Sequence, residues 1–306
     1  MKTIRWGLIA FLYFFLIGLV FIGTGFTLIE IFPTSFSLHL AIVIFAIALT
    51  ALFSALFILY ASPVLRNYLT STRMFYRFDN LSHPLLLKLS STASGTYHHS
   101  LNVANLGRLA AKAIGANALQ VRVGGYFHDI GKISQPQYFT ENQNNSNPHQ
   151  ALANPRSSAK IVIGHVKEGV KLAKEYNLPQ EIIDFIGQHH GNRPASYFLH
   201  EAKKRGLKIK KEDFHYPGPR PLCKETAIVM LADGIEAVVR SREDLTVDDL
   251  KKIAEEIVDS RNLEGQLKFS GLSSADLKKI KQAFWQGCQS IFHKRISYAP
   301  PLPSQH

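Results

Sequence analysis

Hydrophobic and polar positions divide the chain into two unlike parts. Residues 6–29 and 31–65 contain no charged side chain. Each stretch exceeds the ~20 apolar residues a helix needs to cross a bilayer. Glu30, Pro33, Thr34 and Ser35 interrupt them as a tight turn, so the pattern predicts two membrane helices, roughly 6–29 and 38–61. The first is too long for the ~7–15-residue core of a cleaved signal peptide, and no small-residue cleavage site follows. Beyond residue 95 the apolar spacing becomes helical throughout. Leu101, Ala104, Leu106, Leu109 and Ala113 share one face of a segment that Gly115 ends. Ile163, Val166, Val170 and Ala173 form a second stripe. Thr246 with Asp249, and Ser273 with Asp276, make capping-box patterns. They precede the stripes Leu250, Ile253, Ala254, Ile257, Val258 and Leu277, Ile280, Phe284, Cys288. No convincing period-two run appears, so the expected fold class is all-α. Residues 1–65 read as the membrane region, 66–95 as a helical linker and 96–300 as one helical domain. Two loops interrupt it: 141–155, rich in Asn, Gln and Pro, and 211–221, whose Tyr216-Pro217-Gly218-Pro219 cannot be helical throughout.

Charge orients this arrangement. Lys2 and Arg5 precede the first apolar stretch and Arg66, Arg73 and Arg77 follow the second, while the turn between them has no basic residue. The positive-inside rule then places both ends, and the C-terminal domain, in the cytoplasm. The expected location is the inner or plasma membrane, as a multi-pass protein. Only Lys2, Arg5 and Glu30 are charged before Arg66, so nearly all of the net charge of +12 falls on the remainder. That excess suits anionic headgroups or an anionic substrate. No basic run interleaved with aromatics is present, so a nucleic-acid polymer is not the expected partner. The two cysteines, Cys223 and Cys288, form no CxxC pattern and fit a reducing compartment.

The candidate chemistry is carried by His99, His128, Asp129, His165, His189, His190 and Asp233. His128 and Asp129 are consecutive and precede Ile130-Gly131-Lys132. His189 and His190 are also consecutive. Asp233 sits in the apolar run Val229-Met230-Leu231-Ala232, where an unpartnered carboxylate is costly and a metal would supply a partner. Five imidazoles and two carboxylates suffice for two ions that share one carboxylate. Such an N/O set points to phosphate ester hydrolysis. His98, His149, His200, His215 and His293 read instead as satisfied core histidines.

The order His99, His128-Asp129, Asp233 resembles the HD phosphohydrolase pattern, and His165, His189 and His190 resemble its two-metal branch. The fuller wording is more specific. Gly95-Thr96-Tyr97-His98-His99-Ser100, Ile114-Gly115-Ala116-Asn117, His128-Asp129-Ile130-Gly131-Lys132 and Glu141-Asn142-Gln143 are similar to the cytoplasmic domain of the seven-transmembrane HD proteins. So are Asn147-Pro148-His149, His189-His190-Gly191, Tyr216-Pro217-Gly218-Pro219 and Met230-Leu231-Ala232-Asp233. These are the PgpH-type cyclic-di-AMP phosphodiesterases, and the resemblance covers residues 81–298. It implies one metal on His99, His128, Asp129 and Asp233, and a second on His165, His189 and His190, with Asp129 bridging. Manganese or iron are the implied ions. A metal-bridging hydroxide would attack phosphorus in line with the leaving 3′-oxygen, giving pApA. Asp129 and Lys132 would be catalytic; Lys132, Tyr216 and Gly218 would contact the cyclic dinucleotide.

The chain departs from the family in three places. It has room for two membrane helices rather than seven, as in a shortened relative or a piece of a longer protein. Ser90-Ser91-Thr92-Ala93-Ser94 replaces the usual Glu-Ala-Pro, and His215 stands where an arginine usually precedes Tyr-Pro-Gly-Pro. Two helices allow anchoring, a homodimer or signal relay. The alternatives are an HD hydrolase of cyclic di-GMP or guanosine tetraphosphate, or a non-catalytic membrane-bound nucleotide sensor. Gly191-Asn192-Arg193-Pro194 replaces the Gly-Tyr-Pro of the cyclic-di-GMP branch and argues against that substrate. The intact ligand set argues against a sensor.

Overall fold

The computed structural model describes residues 36–143, 147–150, 152, 154–242 and 244–291, together with Leu16, Gly18 and Gly23. The span expected at 6–29 lies outside the described residues apart from those three, and His293 lies outside them too. The chain divides into two units, Met1–Met74 and Phe75–His306. The first described helix, α1, is Phe36–Phe78. On it Leu38, Ile44, Phe45, Ile47 and Leu59 are exposed. Among the described residues no helix is long and apolar enough to cross a membrane. The side chains of 60–72 are outside that set.

The second unit is built from helices alone among its described residues, with one isolated bridge between Pro194 and His215. Its elements follow the apolar stripes. Helix α2 (Pro84–Thr92) starts with Pro at its first position, while His83 accepts a bond from the Leu85 amide. Proline there gives up an N–H that would have had no partner. Leu85, Leu86 and Leu89 are fully buried. Burying each apolar side chain contributes roughly 1.5–3 kcal/mol, so 84–92 belongs to the folded domain although the pattern alone predicts a linker there. Helix α3 (Ser94–Ile114) ends where Gly115 takes φ 69°. Asn117 caps α4 (Ala118–Phe127) by accepting from the Gln120 amide. Four 3₁₀ turns, Ile130–Ser134, Pro136–Tyr138, Thr140–Asn142 and Pro148–Gln150, then carry the chain to α5 (Pro155–Glu175).

After α5 come α6 (Gln180–Gln188), α7 (Ser196–Lys204), α8 (Lys224–Arg240), α9 (Val247–Leu263) and α10 (Ser274–Ile291). The box at Thr246 and Asp249 closes as expected. Ser273 and Asp276 exchange the same pair of bonds. Helix α3 is central and packs against α4, α8 and α10. The core they share with α6 includes Val103, Leu106, Val121, Phe185, Leu231, Ile235 and Phe284. This packing sets the ends of α4 and α6 beside the first turns of α3 and the middle of α8. Those are the places that carry the histidines and aspartates.

Candidate metal centre

All seven candidate ligands converge. His99 lies in the second turn of α3, His128 caps the C-terminus of α4, and Asp129 opens the following 3₁₀ turn. His165 is on α5, His189 caps α6, and Asp233 is on α8. They form two groups of four. His99, His128, Asp129 and Asp233 make one, and Asp129, His165, His189 and His190 make the other. Within each group the potential ligand atoms lie within 4.8 Å of one another, and Asp129 belongs to both. Its Oδ1 is 3.2 Å from His165 Nε2 and 3.6 Å from His189 Nε2. Its Oδ2 is 3.3 Å from His128 Nε2 and 3.6 Å from His99 Nε2. Asp233 Oδ1 is 3.1 Å from His99 Nε2, and its Oδ2 is 3.7 Å from His190 Nδ1.

The imidazoles are oriented by their other nitrogens. Nδ1 of His128 faces the Gly125 carbonyl at 2.8 Å, that of His165 the Val162 carbonyl at 2.6 Å, and that of His189 the Ile186 carbonyl at 2.9 Å. Each partner is three residues back along the histidine's own helix. A carbonyl only accepts, so Nδ1 carries a proton and Nε2 is the atom turned inward. His99 differs: its Nδ1 bonds the carboxylate of Glu236, which is fully buried on α8.

Electrostatics fit a cation site. Burial works against charge on Asp129, yet the ammonium of Lys132 and the imidazole of His128 hold its carboxyl well below the usual range. Asp233 behaves alike: burial opposes its charge, but bonds from His128 and His99 outweigh it. Burial also opposes charge on His99 and His128, but the carboxylates beside them push these up to about 9 and about 10. Burial lowers His189 and His190, reinforced at His190 by His189, and keeps both neutral. His128 Nε2 and both Asp129 oxygens are buried without a hydrogen bond of good geometry. Such atoms call for a partner. Imidazole nitrogens with carboxylate oxygens form the donor set for a divalent transition ion, so the residues present fit two such ions.

The remaining expected site residues are Lys132, Tyr216 and Gly218. Lys132 Nζ is held 2.7 Å from Asp129 Oδ2 and 2.7 Å from Glu141 Oε1. Tyr216 is buried, its ring stacked on His190 with centroids 4.1 Å apart. Gly218 takes φ 81° beside Asn192. His215 Nδ1 caps the Lys211 carbonyl at 3.0 Å. Among the described residues His98, His149, His200 and His215 stay outside both groups, and His98 and His200 are exposed rather than in the core. An open cleft of about 770 Å³ borders the centre, lined in part by Phe139, Lys160, His165, Lys167, His215 and Pro217.

The sequence reading missed Glu236 and gave Glu141 no role. Glu236 stands one helical turn after Asp233 in the same buried run, and that spacing is the signal that could have found it. Glu141 accepts from Thr96 Oγ1 at 3.0 Å, and Asn142 accepts from the Thr96 amide at 3.1 Å. Gly95 makes this latch possible, because a Cβ there would meet the Glu141 carbonyl oxygen at 1.8 Å.

A bundle of helices that gathers His99, His128-Asp129 and Asp233 at one buried point is an HD domain. The HD domain family model matches residues 96–238. The cyclic-di-AMP phosphodiesterase PgpH of Bacillus subtilis (strain 168) is 41% identical over 229 residues, 74% of this chain and 32% of that protein. PgpH of Listeria monocytogenes serotype 1/2a (strain 10403S) is 41% identical over 231 residues, 75% of this chain and 32% of that protein. Among solved structures, the L. monocytogenes PgpH HD domain in complex with cyclic-di-AMP is 42% identical. It covers 71% of this chain and 100% of that chain, with a TM-score of 0.67. The chain belongs to the HD-domain family, with the PgpH phosphodiesterases as relatives. It spans about a third of the length of the curated relatives it matches.

Proposed function

We propose that this chain is a membrane-anchored, metal-dependent phosphodiesterase that hydrolyses cyclic di-AMP to pApA. The observation that carries the reading is the sharing of Asp129 between two four-residue groups. It occurs in a domain 42% identical to one whose structure holds cyclic-di-AMP. His99, His128, Asp129 and Asp233 would hold one ion, and Asp129, His165, His189 and His190 the other. Manganese or iron suit such ligands. Bound there, a divalent pair supplies Lewis acidity for the phosphoryl oxygens and a water of lowered pKa.

The chain's own residues do the rest. The carbonyl-anchored Nδ1 atoms fix three imidazoles before any ligand arrives, so little reorganisation remains during the reaction. Tyr216 packs against the His190 ring and fixes its plane. Lys132 is the cation nearest Asp129. Burial alone would discharge it, but Asp129 and Glu141 keep it protonated well above the usual lysine range. It supplies positive charge beside the reacting phosphate. The cleft next to His165 is large enough for the part of a cyclic dinucleotide remote from the scissile bond, and Lys160 and Lys167 on its rim suit an anion.

The membrane attachment rests on the uncharged stretches 6–29 and 31–65 and on the outward apolar side chains of α1. The basic residues flanking them set the catalytic domain in the cytoplasm, and homodimerisation through these helices is part of the proposal. The test is turnover of cyclic di-AMP and cyclic di-GMP by the manganese-loaded full chain, with metal content measured on the same sample. Release of pApA with about two ions per chain supports the reading. Two ions with no turnover of cyclic di-AMP would refute the substrate, and absence of stable metal would refute the hydrolase.

A further inference from the structure

Of the four candidate-ligand imidazoles with an anchored Nδ1, three use a carbonyl of their own helix. His99 does not. Its anchor, Glu236, comes from another helix, 137 residues away. Glu236 is fully buried, and its other oxygen accepts from Asn102 Nδ2 at 3.2 Å. A buried carboxylate needs a compensating charge, and Arg240 provides it, with Nε 3.4 Å from Glu236 Oε2. Arg240 also reaches Glu141 Oε2 at 3.8 Å. Glu141 holds Lys132, and Lys132 holds Asp129. Asp129 returns to His99 at 3.6 Å. The six side chains therefore close a ring in which basic side chains alternate with carboxylates.

We propose that Glu236 is the positioning residue for His99, and that Arg240, Glu141 and Lys132 extend this control to Asp129. The ring sets two ligands of one metal group through residues outside the ligand set, of which only Lys132 also faces the substrate phosphate. The inference rests on the reading that the two groups hold ions. His99 lies in the second turn of α3, and its Nδ1 turns to α8 rather than back along its own helix. The carboxylate from α8 takes the anchoring role that local carbonyls play elsewhere. A carboxylate on Nδ1 also makes the opposite nitrogen a stronger donor to a metal. Glu141 has a double duty, closing the ring while latching its own turn to the start of α3.

The test is direct manganese titration of the full chain and of Glu236→Gln, Glu236→Ala and Arg240→Gln, with the Mn(II) paramagnetic resonance spectrum and the kcat and KM for cyclic di-AMP. Wild type should bind two ions and show a coupled-pair spectrum. Glu236→Gln keeps an acceptor but loses the charge, so one ion should bind roughly 10- to 100-fold more weakly. Glu236→Ala should lose that ion and the coupled spectrum, and Arg240→Gln should give a smaller shift of the same sign. kcat should fall while KM stays, because Glu236 does not meet substrate. Wild-type manganese affinity and spectrum in Glu236→Gln would overturn the positioning role, even if the alanine variant fails to fold. Absence of manganese binding in wild type would overturn the metal reading itself, and the positioning role with it.

Discussion

Gly131 stands two residues after Asp129, where the 3₁₀ turn runs across α5. A Cβ on it would lie 1.8 Å from the His165 carbonyl oxygen and 2.5 Å from the Gly169 amide nitrogen. Both are backbone atoms of a helix, so no side chain can swing aside. To reach 3.0 Å, a separation below which real Cβ contacts essentially never fall, the turn and α5 must part by about 1.2 Å in Gly131→Ala, an overpacking that costs roughly 1–3 kcal/mol. The domain should still fold. Metal–ligand distances, however, tolerate only about 0.2 Å. His165 Nε2, now 3.2 Å from Asp129 Oδ1, should therefore leave the group it shares with His189 and His190. The other group does not involve α5 and should remain. The expected result is one ion per chain instead of two. Turnover should fall on the order of 100-fold, the scale of a 1 Å misplacement, with helical circular dichroism unchanged. Metal analysis and kinetics on one preparation decide it. Two ions and wild-type turnover would refute the claim that this close approach holds the groups together.

Asp129→Ala should remove both ions, because both groups use that carboxylate, whereas His165→Ala should remove one; equal stoichiometry in the two variants would contradict the shared ligand. Glu141 supplies a pH test: burial raises its pKa but Lys132 outweighs it, leaving about 2 against an ordinary 4.5. A depressed carboxylate stabilises above its unfolded pKa and loses that contribution as pH falls, here between about 4.5 and 2, on the order of 3 kcal/mol in full. The urea midpoints of wild type and Glu141→Gln should differ at pH 6, draw together below about pH 4.5 and converge only toward pH 2; a constant gap would contradict the coupling. Leu89→Ala, at a fully buried site on α2, should destabilise the domain by roughly 2–5 kcal/mol, measured by urea unfolding. A change below 0.5 kcal/mol would return 84–92 to the status of a linker.

What the sequence disclosed and what it hid follow from the range of the interactions. Stripes such as Leu250, Ile253, Ala254 and Val258 are legible because a helix must bury one face, and caps such as Thr246 with Asp249 are legible because both partners lie within one turn. The ligand types were legible as well, since an aspartate among Val229, Met230, Leu231 and Ala232 demands a cation or a donor. The short run Leu85-Leu86-Leu87 was not, because nine residues are too few to show whether an apolar face meets a core or a bilayer. Glu141 was hidden for a different reason. Its partners Thr96, Lys132 and Arg240 come from three separate elements, and no periodicity links them. Close approaches such as Gly95 on Glu141 are visible only once the backbones are in place.

The same division explains how the centre is built. The aim of His128, His165 and His189 is local: each ring is turned inward by a carbonyl three residues back, so any helix carrying such a histidine presents Nε2 in the same way. The meeting of those nitrogens is not local. His99 and Asp233 are 134 residues apart, yet they lie 3.1 Å from each other. Only the packing of α3 against α4 and α8 brings them there. Orientation should therefore survive changes in the core while convergence should not. Substitutions at Ala104 or Ala232, where α3 meets α4 and α8, should loosen metal binding in proportion to how far they part these helices. Substitutions on the outer faces of α9 and α10 should leave it alone. A centre assembled in this way is most sensitive where two helix backbones come closest, and the glycines at those crossings matter to it as much as the histidines.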